Sequence, residues 1–592
     1  MQSFGKFKPI ICRILVGVAT GLLLVAVACG AAATATPRPA DTPRPPVAQV
    51  ATPAPTLAAV ATPVPKAAPT PTPIPAPAAK VHPGKLTIMV GHLSNERFDY
   101  TFGLGTPGGL NFGRIVGGFL ISTNERTEMV PGIASRWGFS ADGLTWAFTI
   151  RKGVKFHDGS ELTPQDVLWT LQHHFGPQAV EYSTSRVPRQ MDKIELSGPD
   201  KVTLTTRTPI TELGLLVSEA GDKWYQVVPK RGKLGDGEQA LAYDKNPIGA
   251  GPMRLEKHVP ASVMKFQRFD DFYYQPRNGF PEDKRVNFQS LDMFLVPEEA
   301  TRVAALRAGE ADLVPASLPT KKQVEAGGGR LVLGLEGFFV EVRLYGCWER
   351  QYPCHDKRVR QALDYAIDKE LIRDRLYGGP EVFQVKGWWV VTPSTIGYTP
   401  ALDPWPFDPA KARQLMADAG YPGGKGFGKL ILNTNTSTAM PFLVEAAQLA
   451  AEFWKRELGL DVEVKVGDRF GLRKTEIAGE LNGQIWWREN EARSDATASA
   501  VSSFGDRRIT KSPSSLHNDP ELFGLVHPVS EILDPDERAE ALKKLYLRLR
   551  DESYVLGIGY VNIPWGAGAR VLTWRPYPLA VYPSALHTIT LK

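Results

Sequence analysis

The sequence predicts an α/β chain folded into more than one lobe, and three observations lead there. Its 592 residues are more than a single hydrophobic core usually serves. Segments of strand periodicity alternate with segments of helical periodicity over most of that length. The composition, 43% hydrophobic and 22% charged, is that of a globular protein except near the N-terminus, where it changes abruptly.

Lys6, Lys8 and Arg13 precede an apolar run from Ile14 to Ala28. That run is short for a membrane span and suits the hydrophobic region of a secretory signal, which predicts export. Ala26-Val27-Ala28-Cys29-Gly30 then resembles a bacterial lipobox, with Ala26 where such signals usually carry leucine. The resemblance implies a signal peptide over residues 1–29 and lipidation of Cys29, whose several acyl chains would anchor the mature chain durably. An uncleaved anchor helix with a buried Cys29 is the alternative, and both place the body outside the cytoplasm. Residues 30–83 are almost entirely Ala, Thr, Pro and Val, with no aromatic to seed a core. They are expected to form a disordered, proline-extended linker that holds the body off the membrane.

In the body, Leu86 to Val90 reads as a buried strand and Trp146 to Arg151 as an alternating one, followed by the turn pair Lys152-Gly153. Thr163, Pro164 and Asp166 have the spacing of a capped helix whose apolar side includes Val167 and Leu171. Ala300, Val303, Ala304 and Ala308 recur at helical spacing until Gly309, and Ala311 to Val314 reads as a short strand. Val359, Ala362, Leu363, Ala366 and Ile367 define another helix face; Asp408-Pro409 opens a helix that Gly420 closes. Leu443 to Leu458 is helical up to Gly459, and Leu460, Val462, Val464 and Val466 alternate along the strand that follows. Asp534-Pro535 starts a last long helix with Ala541, Leu542, Leu545 and Leu549 on one side.

The net charge of +6 argues little about partners. Residues 1–80 hold seven basic residues against Asp41, which accounts for the whole excess. The body is balanced and has no basic run interleaved with aromatics, so nucleic acid is not expected as a partner. Enzyme signals fail one by one. Lys155, His157 and Asp158 have no nucleophile nearby in sequence, and Asp158-Gly159 is turn chemistry. Gly103, Gly105 and Gly108 satisfy G-x-G-x-x-G, but Pro107 interrupts it and no strand immediately precedes it. Gly420 to Lys425 lacks the Ser or Thr of a phosphate loop, and neither H-E-x-x-H nor G-x-S-x-G occurs. No catalytic residue, cofactor or metal is expected. Cys347 and Cys354 enclose six residues in an exported chain, which favours a disulfide. Metal binding with His355 is the sharper alternative.

Several segments resemble, in order, the extracellular solute-binding proteins (family 5) that serve oligopeptide, dipeptide and nickel ATP-binding-cassette (ABC) importers. The most specific is Asp142-Gly143-Leu144-Thr145-Trp146 through Arg151 to Gly159 and on to Leu162-Thr163-Pro164-Gln165-Asp166-Val167. Others are Pro247-Ile248-Gly249-Ala250-Gly251-Pro252, Leu306 to Asp312, Arg358 to Leu363 with Ala366-Ile367-Asp368, and Asp408 to Ala412 with Ala419-Gly420-Tyr421. Together they span roughly the whole body.

The resemblance implies the type II (cluster C) periplasmic-binding-protein fold: two lobes on a hinge, an additional domain, and ligand enclosed between the lobes. The expected limits are residues 84–125, 247–335 and 556–592 for lobe I, 126–246 for the additional domain, and 336–555 for lobe II. It implies a lipid-anchored, monomeric receptor that delivers a peptide or other small solute to an ABC permease. A sensor or chaperone on the same fold, or a secreted hydrolase, is the alternative. Family ligand sites carry an acidic residue after a Gly-Trp-like segment; here the stretch reads Gln484-Ile485-Trp486-Trp487-Arg488-Glu489-Asn490-Glu491 and lacks the usual Asp-Tyr-Pro-Asp-Pro. Glu489 or Glu491 is expected to meet a ligand amine, Arg488 a ligand carboxylate, and Trp487, Trp388, Trp389 and Tyr345 to line the pocket.

Overall fold

The computed structural model describes residues 82–592 apart from 94–95, 97, 99–112, 177–185, 221–225, 231–242, 244, 438–439, 507, 509–511, 513–515 and 581–582. The expected signal peptide with Cys29, nearly all of the linker over 30–83, and the glycines at 103, 105 and 108 lie outside the described residues.

Fourteen strands carry the architecture. They are β1 (His82–Val90), β2 (Ala134–Phe139), β3 (Thr145–Ile150), β4 (Met191–Gly198), β5 (Lys201–Thr206), β6 (Met253–Val259), β7 (Val263–Arg268), β8 (Phe288–Leu295), β9 (Leu313–Pro315), β10 (Arg330–Leu344), β11 (Lys429–Asn435), β12 (Asp461–Gly467), β13 (Ile485–Glu491) and β14 (Val555–Ala567). One large sheet has the order β12-β11-β13-β10-β14-β9-β1-β8-β7-β6, with Phe383–Gln384 added on β14. The second, β2-β3-β5-β4, stands apart over its own core of Trp146, Phe148, Leu171 and Leu204.

Local chemistry explains the helices against these sheets. In α1 (Pro164–Phe175), Thr163 and Asp166 form a reciprocal capping box, with Pro164 at the first turn where no N–H is needed. α2 (Glu299–Ala308) stops at Gly309, which sits at φ 75°. α3 (Lys357–Tyr365) ends before the expected Ile367, because Asp368 caps a separate turn at Lys369 by accepting from the Leu371 N–H. Asp408 caps α4 (Pro409–Asp418), and Gly459 at φ 69° ends α5 (Leu443–Leu458). α6 (Arg469–Ala478) is capped by Asp468, and α7 (Pro535–Glu552) by Asp534. No described helix is long and apolar enough to cross a membrane.

β10 and β14 are the longest strands, 15 and 13 residues, and they are the link between the two halves of the large sheet. Their antiparallel ladder runs from Arg330 opposite Ala567 to Arg343 opposite Val555, and it loses register between Gly334 and Phe338. At that break Glu336 has φ 55°, its N–H donates to Asn562 Oδ1 (2.9 Å), and its carboxylate accepts from the Ser394 N–H (3.0 Å). Such a bulge concentrates bending at one place in an otherwise continuous ladder.

Strand directions position the site. β11 runs parallel to β12 and β13, and β1 runs parallel to β8 and β9. β13 is antiparallel to β10, and β9 is antiparallel to β14, which is itself antiparallel to β10. The two parallel sets therefore run toward one another, and both end at the register break. In α/β sheets ligands bind beyond the carboxyl ends of strands, which here face each other across the crossing pair.

Candidate functional site

A pocket with about 70 Å³ of free volume lies where those ends meet. From one side it is lined by Arg114, Thr123, Thr127 and Glu212, from the other by the segment Glu491 to Asp495 that follows β13, and beneath by Tyr577 to Ala580 after β14. Leu579 sits at φ 59°, and its N–H donates to Leu335 O (2.9 Å), which ties the pocket floor to the register break.

The segment after β13 is held from behind by the loop that contains Trp388 and Trp389. Arg493 N–H donates to Val390 O (3.1 Å), Ile396 N–H to Ser494 O (2.9 Å), and Thr395 Oγ1 to Arg493 O (2.6 Å). The side chains then face the pocket: Arg493 pairs with Glu491 at 3.4 Å, and Asp495 pairs with Arg538 at 2.7 Å. Arg538 also donates to Thr211 Oγ1 (3.3 Å), and Thr211 N–H donates to Ser530 O (3.3 Å). The two sides of the pocket thus touch at a second place besides the crossing strands, and the cleft is closed in this structure.

The residues expected to line the pocket divide sharply. Trp388, Trp389 and Trp487 are at most 1% exposed and Tyr345 is 3% exposed, so in this conformation they have almost no surface to offer a solute. Trp388 Nε1 donates to Val555 O (3.0 Å), and Trp389, at φ 59°, donates from Nε1 to Glu341 Oε1 (2.6 Å). Tyr345 Oη donates to Glu476 Oε1 (2.8 Å). Arg488 and Glu489 are also buried. Arg488 lies over the Trp486 ring (4.5 Å) and pairs with Glu341 at 3.4 Å, while Glu489 pairs with Arg469 at 2.8 Å and accepts from Asn435 Nδ2 (3.2 Å). Glu491 is the member of that set that reaches the pocket.

These buried charges form one network. Glu341 holds Arg343 at 2.8 Å as well as Arg488, and Arg343 reaches Glu476 at 3.5 Å. Burial alone would raise the Glu476 carboxyl, but Arg343, Arg488 and Arg473 outweigh it and hold the group down at about 2. Burial, then repulsion from Arg488, lowers Arg469 to about 10. A carboxylate set of this kind is ionised at neutral pH and occupied by its own guanidiniums.

Cys347 and Cys354 are joined as a disulfide, and the His355 ring Nδ1 lies 3.2 Å from Cys347 O. With both sulfurs in the bond, no thiolate is left there for a metal. Arg114, Glu212, Arg493, Asp495 and Tyr577 were not anticipated. They come from four separate stretches of chain, and nothing periodic marks them; Arg493 and Asp495 alone had a signal, lying just beyond the Trp-Trp strand.

A family model for bacterial extracellular solute-binding proteins, family 5 (middle), matches residues 128–506. The chain belongs to this family. It is therefore the solute-binding component of an ABC importer, works outside the cytoplasm, and binds its solute without transforming it. Among curated relatives, heme-binding protein A of Haemophilus influenzae is 24% identical over 75% of this chain and 83% of its own length. The glutathione-binding protein GsiB of Salmonella paratyphi A is also 24% identical, over 70% and 77%. Among solved structures, the periplasmic binding protein DppA of Helicobacter pylori in complex with the peptide STSA superposes with a TM-score of 0.68 at 19% identity, covering 86% of this chain and 98% of that one. The expected two-lobed type II fold is the fold of these neighbours.

Proposed function

We propose that this family 5 protein captures a short peptide-like zwitterion between its lobes and hands it to a membrane permease, from a lipid anchor at Cys29. The observation that carries the reading is the charge layout of the pocket. Glu491 and Asp495 stand on one side, with Arg493 beside Glu491, and Arg114 stands with Glu212 on the other. A ligand ammonium is assigned to Glu491 and a ligand carboxylate to Arg114, so one molecule satisfies both walls only when they are closed around it. The glutathione-binding and peptide-bound relatives support the same solute class.

In this reading the lobes divide at the register break of β10 and β14, with lobe I over 84–125, 247–335 and 556–592, the additional domain over 126–246, and lobe II over 336–555. Tyr345, Trp388, Trp389, Trp487, Arg488 and Glu489 act as the rigid backing of the Glu491 to Asp495 segment. A ligand in contact with both walls stabilises the closed state by its differential contacts, and the permease distinguishes closed from open protein.

The test is a thermal-shift screen of the full chain in detergent against dipeptides, tripeptides, sugars and nickel-histidine. Peptides are expected to raise Tm with a logarithmic dependence on concentration. Stabilisation by sugars or nickel-histidine alone would overturn the peptide reading.

A further inference from the structure

Three consecutive residues at the register break of β10 each hold a different part of the cleft. Leu335 O accepts from the Leu579 N–H on the pocket floor (2.9 Å), and Gly337 O accepts from the N–H of Ala492, which also lines the pocket (3.2 Å). Glu336, between them, acts through its side chain. Its carboxylate accepts from Thr392 Oγ1 (2.5 Å), from the Ser394 N–H (3.0 Å) and from Ser394 Oγ (3.1 Å).

Those bonds are the first step of a path to the cleft wall. The Thr392 N–H donates to Thr395 Oγ1 (2.9 Å), and that hydroxyl donates to Arg493 O (2.6 Å). One residue on, the Ile396 N–H donates to Ser494 O (2.9 Å). Arg493 and Ser494 both line the pocket, so a pocket-lining stretch of backbone is fastened to a loop that Glu336 fastens to the strand. Thr392 and Thr395 are buried, which keeps water from competing for the middle of the path.

A register break by itself needs none of this. A bulge is made by the backbone, whereas this carboxylate reaches residues 56 and 58 positions further along the chain. Glu336 also stands at φ 55°, in the left-handed region where a side chain is costly and glycine is not. Its N–H is held by Asn562 Oδ1 of β14, and Asn562 Nδ2 in turn donates to Glu381 O (2.9 Å). The surroundings hold a costly conformation in place at the point of bending, and in doing so they keep the carboxylate on the loop.

We infer that Glu336 is a positioning residue that couples bending of the β10 and β14 pair to the cleft wall at Arg493 and Ser494. The strand bends where the carboxylate is attached, so the wall follows the bend. By the same path a solute drawn against the wall acts on the bend, and its differential contacts with the two conformations become closure. The inference rests on the cleft as the solute site and not on the peptide reading of the solute.

Amide hydrogen exchange of the full chain in detergent tests the coupling without a solute, so its outcome is independent of the thermal-shift screen. Glu336→Gly removes the carboxylate and suits φ 55°. It is expected to speed exchange about tenfold or more over residues 392–396 and also over 491–496, one step further along the path, with β2 to β5 changed by less than about twofold. Glu336→Gln keeps one acceptor oxygen and should bring 491–496 back to within about threefold of wild type. Thr395→Val should speed exchange over 491–496, and adding Glu336→Gly to it should speed that segment by less than about twofold more, because both cut one path. If Glu336→Gly does not fold, Glu336→Gln takes its place in the double variant and the same non-additivity decides. A rise confined to 392–396 would assign Glu336 to the loop alone, and a rise of equal size in β2 to β5 would mean general loosening. Independent effects in the double variant would mean two separate paths. Each of these three results overturns the coupling.

Discussion

Glu489 and Glu491 are two residues apart on one strand and point to the same side of the sheet, yet one closes a structural network and the other faces the cleft. Arg469 of α6 and Asn435 of β11 reach Glu489 and fill its lone pairs. Glu491 is the last residue of β13 and lines the pocket. A buried carboxylate surrounded by its own guanidiniums adds rigidity. The carboxylate at the strand end lines the pocket, with Arg493 beside it. Residue type is the same in the two cases, and the neighbours that folding brings to each make the difference.

Four measurements would break or sharpen that contrast. The largest effect is expected for Glu341→Ala, which strands Arg343 and Arg488 without their shared carboxylate. Removing one partner of a buried charged set costs about 3–5 kcal/mol, read as a fall in the urea midpoint; a change under about 1 kcal/mol would mean that the network is solvated rather than sealed. Acid should act on the same region. The Glu476 carboxyl sits at about 2 in the folded chain, against an ordinary 4.5, so its contribution is complete above pH 4.5 and is lost as pH falls through 2. The expected slope amounts to about 3 kcal/mol in total, and Glu476→Gln should flatten it in denaturant titrations run at successive pH values.

Glu491→Ala is expected to do the reverse of Glu341→Ala. It should leave the urea midpoint nearly unchanged and weaken a bound dipeptide by about 2 kcal/mol. Equal affinities for variant and wild type would remove Glu491 from the site. The smallest effect belongs to Arg538→Ala, which cuts the bridge between Asp495 and Thr211. About 1 kcal/mol of closed-state preference should be lost, seen as a larger radius of gyration in solution scattering and faster ligand release, with Tm almost constant.

Much of the scaffold was legible before any coordinates. The capping pair Thr163 and Asp166, the stops at Gly309 and Gly459, and the openings at Asp408-Pro409 and Asp534-Pro535 all act over one helical turn, within reach of a sequence reading. The extent of β10 was not legible, because Gly334, Glu336 and Gly337 look like a strand end and become a register break within one long strand only because β14 lies alongside. The burial of the tryptophans was not legible either, for a related reason. A large aromatic suits a pocket wall and a core equally, and Trp388 and Trp389 became core because β14 and Glu341 offered their N–H groups acceptors.

By itself the sequence determined the alternation of strands and helices, where most helices begin and end, and, through the resemblance of residues 142–167 and four further segments, the family. Those features depend on neighbours a few positions apart or on motifs read along the chain. Which acidic residue of β13 lines the pocket, and that Arg114 and Tyr577 line it too, were decided only by the tertiary structure. The strength of a buried charge depends on what covers it and what pairs with it, and both are set by segments that only the fold brings together.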